Sequence, residues 1–130
     1  MERLIIGQIF LVGMGGFIGS ALRFLLRGWV QRLFPYSQFP YGTLAVNVAG
    51  CLLIGFLGGL AEERDAFDPG VRLFVLIGVL GGFTTFSTFA FENLLLLQES
   101  HYFKALLNTV LQVVVGFTAA WLGLLAARAL

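Results

Sequence analysis

Residues 81–89 read GGFTTFSTF, running from Gly81 to Phe89. They lie inside a stretch, 73–91, that contains no Asp, Glu, Lys or Arg. Two adjacent glycines weaken a helix. The hydroxyls of Thr84, Thr85, Ser87 and Thr88 then alternate with the rings of Phe83, Phe86 and Phe89. A lipid-facing helix has no use for this run. Hydrocarbon tolerates irregular backbone only where protein buries it or where it lines a polar cavity. The run therefore predicts a third membrane helix that is broken near 81–84, at a packed functional centre.

The rest of the chain fits a membrane reading. It has 130 residues, of which 12% are charged, against about 25% in a soluble domain. Its mean hydropathy is +0.92. The charges cluster and leave four uncharged stretches, 4–22, 33–61, 73–91 and 105–127. The shortest of these, as a helix, spans roughly 28 Å, close to the hydrocarbon thickness. We expect an all-α membrane protein, one domain of four transmembrane helices at about 4–29, 42–61, 71–97 and 103–128, with both termini on one side. The first stretch is too long and too glycine-rich for a cleaved signal peptide, and no small-residue cleavage site follows it.

Several function classes drop out. Cys51 is the only cysteine and His101 the only histidine, so no metal-ligand cluster or Ser/His/Asp set is expected. A net charge of +1 suggests no nucleic-acid partner. No charged residue lies deep in any helix, which argues against an enzyme and against a proton-coupled carrier with a buried relay.

Neutral polar residues are what the helices do carry. Thr43 and Asn47 are four apart on helix 2, and Asn108 and Gln112 four apart on helix 4, so each pair shares a face. With the hydroxyls of helix 3 they form three polar sets, more than interhelical hydrogen bonding alone needs. Phe86 and Phe89 also share a face, and the positive edge of an aromatic ring can touch an anion. Glycines recur at four-residue spacing, Gly15/Gly19, Gly55/Gly59 and Gly78/Gly82, which lets helix backbones approach closely. Four short helices enclose little interior, so a polar pathway calls for a second copy. Arg3, Arg64, Arg72 and Arg128 fall on one side and Arg23, Arg27, Arg32 and Lys104 on the other. With no Lys/Arg bias to orient it, the chain is expected to insert both ways.

At this point the sequence resembles the Fluc fluoride channels, also called CrcB proteins. GGFIGSALR at 15–23 resembles the family's helix 1 signature, GTLAVNVAG at 42–50 that of helix 2, and GGFTTFSTF that of helix 3. The resemblance covers nearly the whole chain. It implies an antiparallel, dual-topology homodimer in the bacterial inner membrane, with two fluoride pores that export fluoride passively. It implies pore-lining roles for Phe86, Phe89, Asn47, Thr43, Ser87 and Thr88, and a place for Arg23 at the aqueous vestibule. It further implies a structural sodium ion at the dimer centre, held by the backbone carbonyls of Gly81 and Thr84. On helix 4 many relatives have a small hydroxyl residue where this chain has Gln112, so Asn108 and Gln112 are secondary pore candidates. Glu92, one turn past Phe89, is an acid near an expected anion path and suggests a cap or a cation partner.

Two other readings compete. Small multidrug-type exporters are also four-helix dual-topology dimers, but they depend on a membrane-embedded glutamate in helix 1, and 4–22 contains no acid. A noncatalytic assembly subunit would carry no ion flux on its own.

Overall fold

The computed structural model describes all residues, 1–130. Four helices are long and apolar enough to cross a membrane: α1 (Glu2–Arg32), α2 (Tyr41–Glu63), α3 (Pro69–Gln98) and α4 (Tyr102–Ala129). Short connections join them, so successive helices cross in alternating directions. Their apolar surface points outward: only 21 of 130 residues are buried, while Phe10, Phe17, Phe24, Phe117 and Trp121 stand exposed. Lipid is the solvent that such a surface requires.

Small residues decide which helices pair. A Cβ on Gly78 would lie 2.9 Å from Gly15 Cα, and one on Gly82 would lie 2.9 Å from Gly16 Cα. α1 thus meets the first part of α3 backbone to backbone. A second seam joins α2 to α4, where a Cβ on Gly59 would lie 2.9 Å from Ala127 Cβ, and Gly55 faces the Ala120 backbone. Such contact is the main source of helix association in lipid, where apolar side chains gain nothing by leaving the solvent.

α3 is irregular. Asp68 caps its start, accepting from the Val71 N–H at 2.9 Å, with Pro69 in the first turn. Leu73–Leu80 is π-helical and Gly81–Phe83 α-helical. Thr84 (φ −86°, ψ 155°) and Thr85 (φ −152°, ψ 116°) are extended, and Phe86–Gln98 is again helical. Gly81 and Gly82 themselves keep helical conformation, and the extended residues are the two threonines that follow. At the polar ends Arg128 pairs with Glu63 at 2.7 Å, and Arg72 with Glu62.

Candidate functional site

The extended pair Thr84–Thr85 takes most of its backbone groups out of the helical ladder, with only the Thr84 N–H still bonded to Leu80 O at 3.1 Å, and in a membrane the others must find another partner. Asn47 on α2 supplies them for Thr85. Its Oδ1 accepts from the Thr85 N–H at 2.9 Å, and its Nδ2 donates to the Thr85 carbonyl at 3.0 Å. The same Nδ2 also donates to Gln112 Oε1 on α4 at 3.1 Å. Both amide hydrogens of Asn47 are therefore in use. Gln112 presents the opposite case: with its Oε1 held by Asn47, its buried Nε2 has no partner.

Thr85 also starts the second part of α3. Its Oγ1 accepts from the Thr88 N–H at 3.3 Å, as an N-cap does, and donates to Thr88 Oγ1 at 3.0 Å. Ser87 Oγ lies 3.4 Å from it and is otherwise exposed. Thr84 is tied back by its hydroxyl to Leu80 O at 3.1 Å, while its carbonyl accepts from Arg23 Nη1 at 3.4 Å. Gly50 makes this approach possible, since a Cβ there would overlap the Thr84 methyl.

Asn47, Gln112, Thr84 and Thr85 open onto one cleft of about 500 Å³, which Phe86 and Phe89 also line among small and apolar residues, including Gly81 and Cys51; Ser87, Thr88 and Arg23 lie outside its lining. Phe86 and Phe89 meet edge to face, with ring centroids 5.5 Å apart at 61°. Phe89 is half-buried, whereas Phe86 is 78% exposed and projects from the helix bundle.

The i, i+4 pairs do not each act together. Thr43, one turn from Asn47, is buried in a separate cluster. Its hydroxyl donates to Glu92 Oε1 at 2.8 Å and accepts from Arg27 Nε at 3.2 Å, and Arg27 Nη2 reaches the same Glu92 oxygen at 2.8 Å. Glu92 thus has a cation, Arg27. Asn108 is fully buried and donates to Asn93 Oδ1 at 2.7 Å, while Asn93 donates to Thr109 Oγ1 at 2.7 Å. Its own Oδ1, like Glu92 Oε2, is buried without a partner. Asn93 and Arg27 escape a reading of the sequence as site residues, and Thr85 enters it only as one of the helix 3 hydroxyls. Only the N-cap preference of Thr85 ahead of Phe86–Gln98 offered a local signal.

Fold and cleft together define a small multi-pass membrane protein built around a neutral, hydrogen-bonding interior. Residues 10–124 match the family described as "CrcB-like protein, Camphor Resistance (CrcB)". A relative in Campylobacter jejuni is 46% identical over 120 residues, covering 92% of this chain and 97% of its own. One in Methylobacillus flagellatus is 46% identical over 116 residues, covering 89% and 91%. One in Parabacteroides distasonis is 45% identical over 118 residues, covering 91% of each. All three are named "Fluoride-specific ion channel FluC". The chain belongs to the CrcB family.

Proposed function

We propose that this protein is a fluoride-selective channel, not an enzyme, that lets fluoride leave a bacterium passively across the plasma membrane. The observation that carries the reading is the cleft itself. It offers N–H and O–H donors and ring edges, with no carboxylate among its lining residues. The names of the relatives support the same substrate. Fluoride is small and strongly hydrated, so close donors must replace its water. Chloride is larger and is held off the same donors in a narrow passage. The Gln112 Nε2, free of any partner, is the amide donor ready for an anion, and the Thr85, Ser87 and Thr88 hydroxyls can turn toward one. Weak contact with the Phe86 and Phe89 edges suits conduction, where an ion must bind enough to enter and little enough to leave. A membrane potential, inside negative, drives the anion out with about 2.3 kcal/mol per charge per 100 mV. No bound nucleotide is required.

The working unit in this reading is an antiparallel homodimer with two pores, made from chains that insert both ways. The open side of the cleft and the outward Phe86 support a second copy there. The extended Thr84–Thr85 pair divides α3 into two half-spans, and the ends of those half-spans would meet across the two-fold axis. A structural sodium ion would be held there by the Gly81 and Thr84 carbonyls of both subunits. The donor set fits: these are neutral hard oxygens, Thr84 is out of the helical ladder, and nothing lies within 4 Å of a Cβ position on Gly81. The Arg23 guanidinium near Thr84 O favours a monovalent over a divalent ion. Sodium would supply charge to the Gly81 carbonyl and would share the Thr84 carbonyl with Arg23. Arg23 would keep the nearby vestibule attractive to anions.

Fluoride efflux from liposomes containing only this protein tests the reading, with chloride as control. Fluoride flux with chloride excluded is expected. Comparable chloride flux, or none of either, would sink it.

A further inference from the structure

The polar interior does not end at the Asn47–Gln112 pair. One turn away on α2 is Thr43, and one turn away on α4 is Asn108. α2 and α4 cross the membrane in the same direction, so these two lie at one height, where Thr43 binds Glu92. Here a carboxylate enters an otherwise neutral interior. The Glu92 side chain is only 15% exposed, and a charge at such depth is costly unless paired. Its Oε1 holds both Arg27 and Thr43, while Oε2 has no partner. Beside the trio a second cleft, of about 290 Å³, is lined by the polar residues Arg27, Gln31, Gln38, Glu92 and Glu99 among apolar ones.

Resting on the fluoride reading, we infer that Arg27 sets the charge of the pore mouth: its guanidinium cancels the Glu92 carboxylate and so lets an anion pass between the first cleft and the second one. Other charges nearby do not do this. Glu99 is 60% exposed and lies 3.7 Å from His101, while Lys104 is engaged by Gln38 at 2.9 Å. Arg23 is committed to Thr84 O. Arg27 alone touches Glu92 and, half-exposed, also faces the second cleft. Its placement is built into the backbone. Gly42, whose N–H is held by Gln31 Oε1 at 3.1 Å, lets α1 and α2 close up, and a Cβ there would lie 2.9 Å from Arg27 Cγ. Thr43 then fixes the guanidinium edge through Nε.

The test is fluoride efflux from liposomes for wild type, Arg27→Gln and the double variant Arg27→Gln/Glu92→Gln, each checked as an assembled dimer by gel filtration. An uncompensated carboxylate beside the path repels an anion strongly at low dielectric. Arg27→Gln should cut flux about tenfold or more, and the double variant should return to within about threefold of wild type. That rescue is something a packing role would not give. Where Arg27→Gln does not assemble, Arg27→Met, which keeps the apolar stem against Gly42, takes its place in both arms. Arg27→Gln conducting like wild type overturns the inference, and so does a double variant as slow as the single. A wild type inert to fluoride overturns the fluoride reading and this inference with it, so the two failures are told apart.

Discussion

Replacing Asn47 by Ala removes three hydrogen bonds that hold α2, α3 and α4 together at one level. Two of them serve the Thr85 backbone, which is extended and buried. Each buried backbone group left unpaired costs about 1–3 kcal/mol, so both together cost about 2–6 kcal/mol. Hydrogen bonds between membrane helices average nearer 0.6 kcal/mol, because the unfolded reference also finds partners in lipid. The lower end of the range therefore applies, and we expect Asn47→Ala to lose about 2–3 kcal/mol. A 2 kcal/mol loss is roughly a thirtyfold shift in an equilibrium. Chemical unfolding in detergent reads the total, and amide hydrogen exchange at Thr85 reads the local part. Gln112→Leu is the control, since it breaks only the Asn47–Gln112 bond and leaves both Thr85 bonds in place. It should cost far less. An Asn47→Ala protein as stable as the control, with Thr85 equally protected, would refute the view that Asn47 clamps the extended segment.

The remaining expectations concern flux and assembly. Phe86→Ile and Phe89→Ile keep apolar bulk but lose the ring edge, so fluoride flux should fall well over tenfold in a folded dimer; wild-type flux in both would reduce the rings to packing. Gln112→Leu removes the one unpartnered amide donor and should slow fluoride several-fold with little change in stability, which unfolding and efflux on one preparation will check. Exchanging sodium for a larger monovalent cation should lower activity without letting chloride through, and full activity after rigorous sodium removal would count against a sodium site. Periplasm-active and cytoplasm-active reporters fused to the C-terminus should both give signal, whereas signal on one side alone would exclude insertion in two orientations.

The four spans were legible because lipid imposes length and charge rules that act on the sequence directly. The run at 81–89 stood out for the same reason: hydroxyls and glycines are out of place in a lipid-facing helix. Less legible was which residues there leave the helix. Gly81 and Gly82 look like the breakers by propensity, yet Gly82 is small because Gly16 of α1 lies against it, and it stays helical. Propensity describes an isolated helix, and here a neighbouring backbone decided. The partners of Asn47 and Thr43 were out of reach for a related reason. The i, i+4 spacing puts both on one face, but Thr85 lies 38 positions from Asn47, and Glu92 lies 49 from Thr43. Only the height at which α3 resumes its helix assigns one to each. Asn93 gave no signal at all, being one polar residue among leucines whose partners, Asn108 and Thr109, sit on another helix.

The glycine seam between α1 and α3 bears on how such a protein can move. Side chains that interdigitate can swap rotamers and let two helices slide; two backbones in direct contact have no such reserve. A transporter that alternates between facing inward and facing outward must rock one group of helices against another with every cycle. Here Gly15, Gly16, Gly78 and Gly82 bring the two backbones into direct contact along a line, which leaves little room for rotation or sliding. The chain is mechanically closer to a frame than to a set of rocking parts. Turnover in such a device is limited by the ion's own steps from donor to donor, and its speed should vary with temperature as gently as diffusion does.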